Sequence, residues 1–269
     1  LADAGRPVRL LEAHTPAEAE ALRDAGADGA GALVAVGGDG TVHRALQAVA
    51  GTAVPFGPVP AGTGNDFAVD TGFPADPLAA VDVIATALRE GRSRPVDLAR
   101  MTGAEDGDRW YGAVLAAGFD AIVNERANRM RWPRGPRRYD LAILVELARL
   151  RPRRYTLRLD GEEQQVDAVL VAVGNAASYG GGMRICPDAD PTDGLLDVVV
   201  GGRFDRRTLM RVKPRIYQGT HVEHPLVRSY RARTVELAAE GITTYADGER
   251  ALDLPVRIIA VPRAVRLLR

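Results

Sequence analysis

The stretch Val34-Ala35-Val36-Gly37-Gly38-Asp39-Gly40-Thr41 leaves the backbone few choices. Its Val-rich start reads as a buried strand, three glycines permit a tight turn, and Val42, Ala45 and Leu46 open the apolar period of a helix. Bare amides at a helix start, beside glycines that let a ligand come close, form a cradle for phosphate. The carboxylate of Asp39 would repel phosphate unless a cation stood between them. Gly37, Gly38, Asp39, Gly40 and Thr41 are therefore read as a Mg-nucleotide site.

A second turn of the same kind, Pro58-Val59-Pro60-Ala61-Gly62-Thr63-Gly64-Asn65-Asp66-Phe67, follows a predicted strand over Ala53 to Phe56. Two such turns would lie side by side at the carboxyl ends of neighbouring parallel strands, where open α/β sheets bind ligands. Together, Gly-Gly-Asp-Gly-Thr and Gly-Thr-Gly-Asn-Asp-Phe resemble the diacylglycerol kinase catalytic domain, shared with bacterial soluble lipid kinases, sphingosine kinases and ceramide kinases. A lone Gly-Gly-Asp-Gly turn also serves plain loops. NAD kinases carry it too, as do phosphofructokinases in variant form, but both lack the second motif. The resemblance implies that Gly62, Thr63, Gly64, Asn65 and Asp66 complete the nucleotide site.

A chain of 269 residues can hold one large or two ordinary domains. Its net charge of zero removes the simplest argument for nucleic-acid binding. Lys213 is the sole lysine, and the single Cys186 excludes an internal disulfide framework, in keeping with a reducing cytoplasm. No apolar run is long enough for a transmembrane helix, and the first residues lack the basic and apolar parts of a signal peptide. Leu1 to Gly5 reads as the last turn of a helix and Val8 to Leu11 as a strand. Family members begin with a further strand and an Asn-Pro loop, so the resemblance implies that these are missing ahead of Leu1.

Thr15-Pro16-Ala17-Glu18 predicts a capped helix to about Ala25, and Asp76-Pro77 a longer one through Leu88, ended by Gly91. Strand and helix alternate up to Arg94, which implies a three-layer α/β domain on a parallel sheet. Beyond it, strands are predicted over 95–101, 110–117, 155–159, 166–173, 195–200, 234–238, 256–261 and 265–268. Asp160-Gly161 and Asp247-Gly248 punctuate them as turns. The reading is an α/β nucleotide-binding domain over 1–96 and an antiparallel β-sandwich over 97–269. The resemblance agrees, and implies an active site in the cleft between the two.

Several acids stand out. Asp97 by itself is an ordinary strand-end acid; the resemblance implies that it joins Asp39 and Asp66 in a water and Mg network around the phosphates. The acidic loop from Asp188 to Asp197 suits a hard cation or a solvated turn equally well. Resemblance favours a structural Mg there, with Asp193 as ligand beside Asp190 and the carbonyl of Leu195. Asp247-Gly248-Glu249 alone is a hairpin turn, but resemblance makes Asp247 the base that takes the proton of a lipid hydroxyl, and Glu249 an accessory acid. His43 reads as a surface or capping residue, and His221 and His224 as structural. No serine sits in a nucleophile elbow.

Between Arg126 and Arg154, ten arginines stand against Asp140 and Glu146, around an apolar run from Tyr139 to Leu150. Basic residues, Trp132 and an apolar helix suggest peripheral contact with an anionic membrane face; the competing reading is a core helix beside a basic loop. The expectation is thus an ATP- and Mg-dependent lipid kinase at the inner membrane face, with diacylglycerol as its first acceptor. Sphingoid bases, phosphatidylglycerol and an NAD kinase-like activity are the alternatives, and a non-catalytic nucleotide- or lipid-binding regulator is the rival class. A homodimer is the default oligomer.

Overall fold

The structure, a computed structural model, describes residues 7–11, 31–104, 107–119, 121–123, 126 and 151–269. The helix expected after Thr15, the turn expected before Gly5 and most of the basic segment 126–154 lie outside them. Residues 7–11 are irregular rather than the expected strand, and Val8 and Leu10 are exposed.

The α/β half opens with β1 (Leu33–Gly37), α1 (Asp39–Val49), β2 (Pro55–Pro60), α2 (Asp66–Asp70) and α3 (Pro77–Glu90). Strands β1 and β2 pair in parallel, with Gly37 opposite Pro60. Helix α3 is bounded as its sequence demands: Asp76 caps it by accepting from the Ala79 amide, proline stands in its first turn, and Gly91 ends it in the left-handed region.

Strands β3 (Arg94–Gly103), β4 (Arg109–Tyr111), β5 (Val114–Gly118), β6 (Arg153–Leu159), β7 (Glu162–Ala168), β8 (Leu170–Gly174) and β9 (Leu196–Gly201) follow. Then come α4 (Arg206–Gln218), a 3₁₀ turn over Thr220–Glu223, and β10 (Val227–Ala232), β11 (Thr234–Ala238), β12 (Thr243–Ala246), β13 (Glu249–Asp253) and β14 (Val256–Leu267). They form two sheets. The first runs β1-β2-β14-β11-β6-β7, with β3 and β4 branching from β14; the second runs β10-β9-β8-β5-β12-β13. The first sheet is mixed rather than parallel throughout. Strand β14 lies parallel to β2 at Arg266 and Leu267, and antiparallel to β3 along most of its length.

Between the sheets lies a core of Met101, Tyr111, Leu115, Leu157, Val171, Val173, Val198, Val200, Val235 and Ile258. This is the expected antiparallel sandwich. Its second sheet is covered on the outer face as well: Leu170, Ala172 and Val199 pack with Leu209, Val212 and Ile216 of α4. Double burial explains why β8 and β9 are apolar at successive positions instead of alternating. The run 166–173, expected as one strand, divides at Val169, where the chain leaves one sheet for the other.

Candidate active site

Two glycine turns meet backbone to backbone. The Ala61 amide donates to the Gly37 carbonyl at 2.9 Å, and a side chain on Gly62 would strike the backbone of Gly38. Only glycine allows this approach. Asn65, in the left-handed region at φ 62°, closes the second turn by donating from Nδ2 to the Gly62 carbonyl and accepting from the Gly62 amide, both at 2.9 Å.

Asp39 binds the turns together. Its Oδ2 accepts from the Asn65 amide at 2.8 Å and its Oδ1 from the Asp66 amide at 2.7 Å. Asp66 does the same one step on, accepting from the amides of Gly181 and Gly182 at 2.9 and 2.7 Å. Burial raises the pKa of both carboxyls above the ordinary 3.8. Their amide partners oppose that shift, while Asp247 acting on Asp39, and Asp39 on Asp66, add to it.

Asp247 sits at the tip of the β12–β13 hairpin. It and Gly248 have φ of 51° and 83°, the pair of positive values that a two-residue hairpin turn needs, which Asp-Gly supplies. The carboxylate points back into the protein and is 8% exposed. It accepts from the amides of Gly112 and Ala113 at 3.0 and 2.8 Å, and His43 Nδ1 lies 3.1 Å from Oδ2. Glu249 reaches α1 from the same hairpin, its carboxylate beside Gly40, where a side chain would collide with it.

Asp39, Gly40, Thr63, Gly64, Asp66, Asp247 and Glu249 thus line one cavity of about 240 Å³, with Val42, Phe67, Ala113, Tyr179, Gly180 and Gly248 completing its wall. Both halves of the chain contribute. Asp97 is not among the lining residues. Its carboxylate, 4% exposed, accepts from the amides of Gly194 and Arg263 at 2.8 and 2.7 Å, and so ties the acidic loop to an irregularity in β14.

In the acidic loop, Asp190 accepts from the amide and hydroxyl of Thr192, and Asp193 from the Leu195 amide. Asp193 and Asp197 also pair with Arg231, which supplies positive charge at this point. Among the described residues, no group of three or more His, Cys, Asp or Glu is arranged to hold a metal. His221 is buried, its Nε2 3.0 Å from the Ile185 carbonyl. Cys186 is fully buried, which pushes its thiol far up and removes it as a nucleophile.

Three contributors escape a reading of the residues in order. His43 was expected on the surface, yet it contacts Asp247. Gly112 and Ala113 fall inside a run expected as one strand, and break it by turning their amides to Asp247. The loop over Tyr179 to Gly182 both walls the cavity and holds Asp66. Its Gly180-Gly181-Gly182 run, all at positive φ, is the one signal that could have marked it.

The sequence matches the diacylglycerol kinase catalytic domain family over residues 1–101 and the YegS C-terminal NAD kinase β-sandwich-like domain family over 113–269. A diacylglycerol kinase from Mycobacterium tuberculosis is 48% identical over 250 residues, covering 92% of this chain and 80% of that protein. A probable YegS-like lipid kinase from Xanthomonas oryzae pv. oryzae is 32% identical over 258 residues, covering 91% and 81%. Among solved structures, a putative diacylglycerol kinase from Bacillus anthracis superposes with a TM-score of 0.77 at 22% identity, over 99% of this chain and 87% of that one. The crystal structure of an NAD kinase from Archaeoglobus fulgidus in complex with ATP reaches 0.54 at 17% identity, over 89% and 78%. The α/β half followed by this β-sandwich, with both families matched in that order, makes the chain an enzyme of the diacylglycerol kinase family of lipid kinases.

Proposed function

We propose that this enzyme transfers the γ-phosphoryl group of ATP to a lipid hydroxyl, with Mg as the accompanying cation and diacylglycerol as acceptor. The observation that carries the reading is the convergence of Asp39, Asp66, Asp247 and Glu249 on one cavity bounded by the two glycine turns. No side chain caps the start of α1, and the amides ahead of Thr41, whose own amide donates to the Gly38 carbonyl, suit phosphate oxygens. Beside them stand the half-buried Asp39, raised by burial and by Asp247, and the buried Asp66, raised by burial and by Asp39, which suits a divalent cation. Asp39 and Asp66 would hold that ion from oxygens that retain lone pairs, and it would neutralise phosphate charge.

The chain's own work is positioning. Gly37, Gly38, Gly40 and Thr41, with Gly62, Thr63, Gly64 and Asn65, orient the phosphates. A carboxylate has about four lone-pair sites. Gly112, Ala113 and His43 engage three of those on Asp247, leaving one for the acceptor hydroxyl. As the hydroxyl oxygen bonds to the γ-phosphorus, its proton passes to Asp247, the bond to the β-phosphate oxygen breaks, and ADP leaves. Glu249 assists at the mouth of α1. Asp97 supports this arrangement from behind by fixing the loops it joins.

Transfer of labelled γ-phosphate from Mg-ATP to diacylglycerol, sphingosine, phosphatidylglycerol and NAD, the lipids in mixed micelles, tests the reading. Label in diacylglycerol supports it, and label in another lipid replaces the acceptor. Label in NAD alone would move the enzyme toward the activity named for the Archaeoglobus protein. ATP binding with no label anywhere would favour a regulator.

A further inference from the structure

Helix α4 carries Arg206, Arg207, Arg211, Lys213 and Arg215 and no acid. Leu209, Val212 and Ile216 face the second sheet. At 3.6 residues per turn, Met210, Pro214 and Tyr217 fall in one line along the opposite side. Met210 is 54% exposed and Tyr217 52%. The same spacing sets Arg206 and Lys213 along one flank of the line, and Arg207 and Arg211 along the other. Among the described residues no carboxylate forms an ion pair with Arg207, Arg211 or Lys213, although the cap residue Asp205 feels the charges of Arg207 and Arg211 from further off. An exposed apolar stripe between two cationic flanks is the pattern of a helix that lies in a bilayer interface.

The helix also touches the active site's wall. Gly219, at its end, is held against Pro187 and Arg184, and His221 in the next turn meets the Ile185 carbonyl. Those residues continue the loop whose Tyr179 and Gly180 line the cavity and whose Gly181 and Gly182 hold Asp66.

We propose that α4 is the face by which this enzyme docks on an anionic bilayer, Met210, Pro214 and Tyr217 entering the interface while Arg207, Arg211 and Lys213 meet lipid phosphates. The inference rests on the lipid-kinase reading and adds the docking surface to it. It favours a lipid surface over an acidic protein because both flanks are cationic with an apolar line between them.

Sedimentation with vesicles of phosphatidylcholine, with and without phosphatidylglycerol, tests it. The parent is expected to bind the anionic vesicles and to lose them as salt is raised. Arg207→Gln with Arg211→Gln should weaken that binding about ten- to thirty-fold, and Met210→Ser with Tyr217→Ser should weaken it as well. Removing equal charge elsewhere, by Arg89→Gln with Arg92→Gln, should change it little. Unaltered melting of these exposed-site variants shows that folding is not the cause. Phosphorylation of a short-chain, water-soluble diacylglycerol should be equal in the parent and the Arg207→Gln/Arg211→Gln variant.

Vesicle binding that is absent in the parent, or unchanged in both α4 variants, overturns the docking face even if diacylglycerol is phosphorylated. Binding lost equally in the Arg89/Arg92 control would also overturn it, leaving general charge as the cause. Parent binding lost only in the α4 variants, with no acceptor labelled, would uphold the docking face while the lipid-kinase reading fails.

Discussion

His43 Nδ1 lies 3.1 Å from Asp247 Oδ2, joining α1 to a hairpin 204 residues away. The ring fixes the carboxylate from α1 while the Gly112 and Ala113 amides fix it from the start of β5. Asp247→Asn should retain ATP binding and lower kcat by a factor on the order of 10²–10⁴, the usual worth of a positioned general base. His43→Ala should cost less, roughly ten- to a hundred-fold in kcat, with the acceptor KM nearly unchanged. His43→Asn, which can still donate from Nδ2, should recover part of the loss. Steady-state kinetics with two varied substrates checks all three; full turnover by Asp247→Asn would reject the base assignment.

Gly62 faces Gly38 across the gap between the turns. A methyl group there forces the backbones apart, so Gly62→Ala should destabilise the fold by about 1–3 kcal/mol and abolish measurable nucleotide binding. Denaturant melts and ATP titration report the two effects separately.

Asp97 joins the acidic loop to β14 and stays out of the cavity. Asp97→Ala leaves two amides without their acceptor, which should cost about 3 kcal/mol of stability. Nucleotide affinity of the folded fraction should hardly move. A large fall in affinity, measured below the melting temperature, would put Asp97 back among the nucleotide ligands.

Asp39 and Asp66 predict a pH dependence of definite sign. Burial raises both pKa values, so the folded chain holds protons that the unfolded chain releases. Stability from these groups therefore rises as pH falls from their raised values toward 3.8, and their charges cost stability at neutral pH. The melting temperature of the parent relative to Asp66→Asn should increase on acidification. Mg with a nucleotide should raise the parent's melting temperature most at neutral pH, and chelation should reverse it.

Legibility in the sequence followed the range of the interactions. The two glycine turns and helix α3 could be read because their determinants, glycines, a cap and a proline, act within a few residues. The hairpin at Asp247 was readable as a turn for the same reason. Its acceptance of the Gly112 and Ala113 amides was not, since that contact breaks a run whose composition is that of a continuous strand. Val265 to Leu268 was expected as a separate strand from Val256 to Val261, whereas β14 runs through both. Its irregularity at Arg263 is pinned by Asp97, a residue from another strand. Helix α4 stayed hidden because five cations and an internal proline make the segment strongly polar, although its apolar residues do keep a helical period. His43 sits at an unremarkable helical position, and only the folded chain supplies its partner.

Strand β14 is shared property of both halves: it runs alongside β2 at one end and between β3 and β11 at the other. A beam of this kind resists the rotation of one half against the other that many kinases use to close on substrate. The same beam makes assembly non-local. The α/β half gains the second parallel neighbour of β2, on the side away from β1, only from residues late in the chain, so folding should be slow and all-or-none.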